Sequence, residues 1–234
     1  MKVRIDPLID ALLIVDATKT FMPGGGLAIT GGHLIIPTIE DIISLFVPEK
    51  RIATLDKHKP GSICLASSYS GLAPRTFLQK EMFARLAPHA LFTFAELQEY
   101  LKKTGGQMLW DDHGMGEEAE LHPRLQNYKF GFILEKGLDP KCDSYSAFFD
   151  NLGRPTGLAE ELRRRGVKRC FFCGLAFDYC VGWSAEGAHR EGFEVFVIED
   201  ATRPVGVPAD SVQKMLESFA QKGIRLIQSS DLTL

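Results

Sequence analysis

No apolar stretch in this chain is long enough to cross a bilayer. The longest, counting glycine, runs only from Cys170 to Phe177, far short of the roughly 20 residues that a spanning helix needs. Basic charge is not in excess either, with 27 lysines and arginines against 30 aspartates and glutamates. Nucleic acids are held by dense positive surfaces, so this balance argues against such a partner. Cysteine is scarce and odd in number: Cys64, Cys142, Cys170, Cys173 and Cys180. Asp6 and Asp10 interrupt the first apolar residues, which does not suit a signal peptide. Together these features speak against a disulfide framework and for reduced thiols in the cytoplasm, with no membrane contact. Internal repeats and low-complexity tracts are missing. The glycine clusters Gly24 to Gly26 and Gly31-Gly32 match no phosphate-binding pattern.

What the chain does contain is ordinary globular material, 45% hydrophobic and 24% charged over 234 residues. That suits a single α/β domain spanning 1–234. Five apolar runs lead into charged residues: Ala11–Val15 before Asp16, Arg51–Leu55 before Asp56, Phe130–Leu134 before Glu135 and Lys136, Cys170–Leu175 before Asp178, and Val195–Ile198 before Glu199. Ile224–Ile227 is a sixth, weaker run. Continuous apolar runs of this length are the mark of strands buried on both faces. Between most of them lie helical patterns: the stripe Ile35, Ile39, Ile42, Ile43 and Phe46; a helix around Leu158 and Leu162 ending at Gly166; one from about Asp178 to Arg190; and one from about Ala209 to Gln221. The alternation predicts a doubly wound α/β fold with a mostly parallel, six-stranded sheet and helices on both faces. The segment from about 67 to 106 does not fit the alternation. Two helix-like stretches, Arg75–Leu86 and Phe94–Lys103, predict a helical insertion serving as a cover or a subunit contact, so a homo-oligomer is one outcome.

In open parallel sheets the ligand crevice lies beyond the carboxyl ends of the strands. That rule singles out Asp16, Asp56, Lys136 and the segment Ala176–Cys180. Each charge could also simply end its strand at solvent. Cys180 follows a strand and opens a helix, with Asp178 as a plausible N-cap. A thiolate there, beside a lysine, becomes a nucleophile; the alternative is a buried structural cysteine. Asp56 and His58 lie two apart in extended chain and point to one side, so both could reach one cation. His113, among turn residues, is the best third ligand, and two imidazoles with a carboxylate leave positions open. The other readings of this pair are a cap or plain surface. Cys170 and Cys173 read as core cysteines on opposite faces of a strand.

The motifs resemble those of the nicotinamidases, which belong to the isochorismatase-like cysteine hydrolases and also hydrolyse pyrazinamide. The resemblance is carried by Leu13-Ile-Val-Asp16 with Phe21 and Pro23–Ala28, Ala53–His58, Leu109–His113 with Ala119–Pro123, Lys136-Gly137 with Asp143–Phe149, and above all Gly174-Leu-Ala-Phe-Asp-Tyr-Cys-Val181. It implies a triad of Asp16, Lys136 and Cys180. It also implies one divalent ion, first of all zinc, with iron or manganese as alternatives, on Asp56, His58 and His113. Phe21 and Trp110 would flank a pyridine ring with Tyr145 nearby, and a cis bond between Leu175 and Ala176 would shape the oxyanion site. The small-molecule partner implied is nicotinamide, hydrolysed to nicotinate and ammonia. Three positions depart from the family pattern: Thr18-Lys19-Thr20 in the first motif, Ser62 where many members carry a histidine, and Gly114 after His113. They leave two rivals, a hydrolase of another small amide and an inactive metal-binding relative. A more distant rival is an iron(II) oxygenase using the same two histidines and aspartate.

Overall fold

A computed structural model describes residues 2–82 and 84–234. Its centre is a six-stranded, all-parallel sheet. The strands are β1 (Asp10–Val15), β2 (Arg51–Asp56), β3 (Phe132–Lys136), β4 (Arg169–Leu175), β5 (Glu194–Arg203) and β6 (Arg225–Ile227). They lie in the order β6-β5-β4-β1-β2-β3. All six expected runs are strands. Every residue of the central strand β1 is buried, which explains the absence of alternation in its sequence.

Alternate residues of each inner strand feed opposite cores. Leu12, Ile14, Phe171 and Cys173 pack with α1 (Ile35–Ile43) on one face. Leu13, Val15, Cys170 and Phe172 pack on the other against α3 (Leu158–Arg164), α4 (Gly182–Arg190) and α5 (Ser211–Lys222). Cys170 and Cys173 are therefore free core cysteines on the two sides of the sheet. Among the described residues, no helix is long and apolar enough to cross a membrane.

Among the described residues, the segment 67–106 holds one α-helix rather than two. Helix α2 (Phe94–Thr104) begins at a reciprocal cap between Thr93 and Glu96 and stops at Gly105 in the left-handed conformation. The described residues of the stretch 75–86 are not helical; Phe83 lies outside them. Phe77–Leu78 pairs antiparallel with Gln107–Met108, and Arg85–Leu86 with Tyr69–Ser70. Arg75 at φ 66° blocks a helical start. The apolar residues also fail to share a helical face, since Leu78 is buried while Phe77 is 48% exposed. Leu78, Leu97 and Leu101 join Ile63, Leu109 and Cys142 in a third small core. The insertion thus folds onto the parent domain through shared residues.

Candidate active site

The strand order reverses between β1 and β4, the place where an open α/β sheet leaves a crevice beyond its carboxyl edge. Asp16 follows β1, Asp56 ends β2, Lys136 ends β3, and Cys180 follows β4 in a single wide turn, Phe177–Val181, before α4. The four are almost wholly buried.

Lys136 is the hub. Its Nζ lies 2.6 Å from Asp56 Oδ1, 2.9 Å from Asp16 Oδ2, 2.9 Å from the Ser144 carbonyl and 3.4 Å from Cys180 Sγ. Despite burial, Asp16, Asp56 and Cys180 hold its ammonium well above the usual lysine range. Thr54 Oγ1 donates to Asp16 Oδ1 at 2.5 Å and receives the Asp16 N–H at 3.0 Å. Asp16 Oδ2 pairs with Lys136 by charge but takes no well-aligned hydrogen bond, so it keeps a lone pair for a proton. Burial, with Asp56 close by, raises the Asp16 carboxyl above its ordinary value against the pull of Lys136. Burial likewise pushes the Cys180 thiol well up; Lys136 opposes this, while Asp16 and Asp56 add to it. Burial thus works against ionisation of both Asp16 and Cys180, and the Lys136 ammonium works for it.

Asp56 has a second oxygen to spend. Its Oδ2 lies 3.1 Å from His58 Nε2 and 3.2 Å from His113 Nε2. Donors bound at about 2.0–2.2 Å to one first-row cation stand about 3 Å apart when adjacent, so the three fit a metal. The tautomers fit too. His113 Nδ1 donates to the Asp111 carbonyl at 2.7 Å, and His58 Nδ1 is 3.5 Å from Cys64 Sγ, which leaves both Nε2 atoms facing Asp56. Burial would hold the Asp56 carboxyl up, but Lys136 and the two histidines bring it well below the usual carboxylate range. Glycine is required on both sides of His58. A Cβ at Gly137 would stand 2.7 Å from the His58 ring, and one at Gly114 2.6 Å from the Asp56 carbonyl. Ser62 stays out of the group, with its Oγ donating to the Lys59 carbonyl at 2.7 Å.

Cys180 of the first set and Asp56 and His113 of the second border one small cavity of about 30 Å³, which Asp16, Lys136 and His58 do not line. Phe21, Trp110, Tyr145 and Ala176 line it with Asp56, His113 and Cys180. Leu175 does not; its side chain lies in the core, and what it brings to the site is its peptide bond to Ala176, which is cis. Asp178 is not a cap. Its carboxylate accepts from Val205 N, Gly206 N and Ser211 Oγ, so these donors take the place of the helix N–H groups. Sequence reasoning missed Leu27, Asp143, Tyr179 and Val205 in the wall. It also missed Thr54, although Thr54 stands two before Asp56 on one strand face. A wider groove of about 740 Å³ lies beyond Tyr145 and Tyr179, but none of Asp16, Lys136, Cys180, Asp56, His58 and His113 lines it.

The isochorismatase domain model matches residues 10–231. The nicotinamidase of Acinetobacter baylyi is 32% identical over 225 residues, which cover 95% of this chain and 94% of that protein. Among solved structures, the nicotinamidase/pyrazinamidase of Acinetobacter baumanii superimposes with a TM-score of 0.83 at 31% identity, covering 97% and 99% of the two chains. The pyrazinamidase of Pyrococcus horikoshii, solved in complex with zinc, gives 0.64 at 29% identity, covering 94% and 98%. The order of the strands, the buried Asp16–Lys136–Cys180 cluster and these matches across nearly the whole length agree: the chain belongs to the isochorismatase domain family.

Proposed function

We propose that this chain is an amidohydrolase that converts nicotinamide, and pyrazinamide, to the corresponding carboxylate and ammonia through a thioester on Cys180. One observation carries the reading. Asp56 joins the Lys136–Asp16–Cys180 cluster to a three-donor metal group, and Cys180, Asp56 and His113 border one aromatic-walled cavity. The names of the relatives support the substrate.

The steps follow from the geometry. The thiol proton passes to Asp16 as sulfur bonds to the carboxamide carbon, and Lys136 offsets the charge of the thiolate. The oxyanion forms beside the helix-opening turn, where the resemblance assigns the backbone N–H groups of Ala176 and Cys180 to it. Asp16 returns the proton to nitrogen, the C–N bond breaks and ammonia leaves. Water then attacks the thioester with Asp16 as base, the C–S bond breaks, and the thiol is restored as the carboxylate departs. Asp56, His58 and His113 would hold the divalent ion, which when bound supplies a Lewis-acid anchor for the ring nitrogen and for water. Zinc suits this donor set, as iron and manganese do, and zinc is favoured by the Pyrococcus complex. The cavity has room for about two waters, so the ring displaces them and presses its aromatic walls apart. The five free thiols fit a reducing cytoplasm.

The test is ammonia release by the purified, metal-supplemented protein. Nicotinamide should give the highest kcat/KM in a panel of small amides. A different preferred amide would keep the chemistry and replace the substrate. No turnover on any would leave a metal-binding relative.

A further inference from the structure

Directly after the insertion, one polar side chain bonds to residues that form the wall of the site. Gln107 follows α2 and Gly105-Gly106, and only 1% of it is exposed. Its amide is fully engaged. Nε2 donates to the Met108 carbonyl at 2.7 Å and to Asp143 Oδ2 at 2.8 Å, with a longer contact to Tyr145 Oη at 3.3 Å. Oε1 receives the hydroxyl proton of Tyr100, which is itself in contact with Asn151 Nδ2 at 3.3 Å. The Tyr100 proton and the two acceptors leave a single sensible orientation for the amide. Tyr145 Oη also takes the Trp110 indole N–H at 3.1 Å. Asp143, Tyr145 and Trp110 all line the cavity that holds Cys180.

We infer that Gln107 is a positioning residue of this site: its amide, oriented by Tyr100 of the insertion, sets Asp143 and, through Tyr145, the Trp110 ring. The inference rests on the function proposed above only for its kinetic readout. Gln107 touches neither the triad nor the metal-facing donors in any hydrogen bond, so it acts through the wall. A wall that contacts substrate and transition state alike affects binding more than turnover. The insertion is then neither a loose cover nor a spacer but the source of a support that aims two aromatic side chains.

The experiment compares three variants. Gln107→Met keeps length and apolar bulk but removes every amide bond. It should raise KM for nicotinamide about 10- to 100-fold with kcat changed less than about 5-fold, since small misplacements in a site carry penalties of this order. Tyr100→Phe is the milder change and keeps the proposal testable if the first variant folds poorly; it should raise KM about 3- to 10-fold, the loss expected for one neutral hydrogen bond. Thr93→Ala weakens the cap of α2 without touching the network, and should lower Tm while leaving KM alone. A second readout is independent of substrate. In a Trp183→Phe background the remaining tryptophan, Trp110, should change emission with Gln107→Met and not with Thr93→Ala. Unaltered KM and emission in Gln107→Met and Tyr100→Phe would overturn the proposal. So would a Thr93→Ala variant that shifts KM as much, because the role would then be only structural. If no variant, nor the parent, turns over nicotinamide, the emission result alone decides the positioning role, and the functional reading fails separately.

Discussion

Replacing Asp16 by asparagine should push two measurements in opposite directions. Burial raises the Cys180 thiol against the pull of Lys136, and the charge of Asp16 adds to the rise. Removing that charge should lower its pKa, so more thiolate exists at a given pH. Alkylation by iodoacetamide should become faster in the variant, and the inflection of its pH–rate profile should move to lower pH. Turnover should do the reverse. Loss of a general base costs about 10²–10⁴-fold, or roughly 2.7–5.5 kcal/mol of barrier. Stability sets the third expectation. Lys136 and Asp16 at 2.9 Å attract by about 6 kcal/mol at an effective dielectric of about 20. Most of that is returned, because the carboxylate is wholly buried and its desolvation is relieved. Lys136 also keeps Asp56 at 2.6 Å and the Ser144 carbonyl at 2.9 Å. A net loss of about 1–3 kcal/mol remains, which is roughly 2–6 °C in Tm for a chain of this length. The assay is the pH dependence of single-site alkylation, read by mass spectrometry, alongside ammonia release. If alkylation fell together with turnover, Asp16 would be promoting the thiolate and not opposing it, and the expected direction of the Cys180 shift would be wrong; unchanged turnover would remove Asp16 as the base.

Three further outcomes follow from the same geometry. Cys180→Ala should abolish turnover with fold and metal content intact, because the small side chain disturbs neither Lys136–Asp56 nor the two histidines; retained activity would remove the thioester. The protein should bind about one divalent ion per chain, and His58→Ala or His113→Ala should empty the site, as read by metal analysis after dialysis; full occupancy in both variants would refute the ligand set. Benzamide lacks the ring nitrogen while keeping the flat faces that Phe21 and Trp110 contact, so its kcat/KM should fall at least about 10²-fold below that of nicotinamide, about 2.7 kcal/mol. Comparable values would take the metal out of substrate recognition.

Most of the sheet was legible because its signal is local. An apolar run ending at a charge marks a strand buried on both faces and the edge where ligands bind, and Asp16, Asp56 and Lys136 stand at three such ends. The segment 75–86 was misread because its partners are remote: Phe77–Leu78 is a strand only because Gln107–Met108 pairs with it. Local helical spacing carries no information about such a pairing. Asp143, Tyr179 and Gln107 were hidden for the same reason. Each is an ordinary polar or aromatic residue whose role comes from contacts made across the sheet or with the insertion. Asp178 shows the converse: its position suited a cap, but two loop N–H groups and the Ser211 hydroxyl reached it instead.

Two of the departures from the family motifs prove to be physically linked. Thr20 Oγ1 accepts the Gly114 N–H at 3.0 Å and donates to Glu118 at 3.2 Å. Gly114 in turn receives the His58 N–H on its carbonyl at 2.9 Å. A hydrogen-bonded line therefore runs from Glu118 through Thr20 and Gly114 to His58, one of the residues that face the metal position. Gly114 has a φ of +67°, and a Cβ there would meet the Asp56 carbonyl at 2.6 Å. A side chain at this place needs β2 to end farther from the turn that carries His113. With glycine the turn approaches closely, and its N–H then wants an acceptor, since a buried donor left unmade costs about 1–3 kcal/mol. Thr20 supplies that acceptor from the first motif. Thr20 of the first motif and Gly114 after His113 thus satisfy one another through one hydrogen bond. The contacts of the Lys136 ammonium with Asp16, Asp56, Ser144 and Cys180 use neither Thr20 nor Gly114.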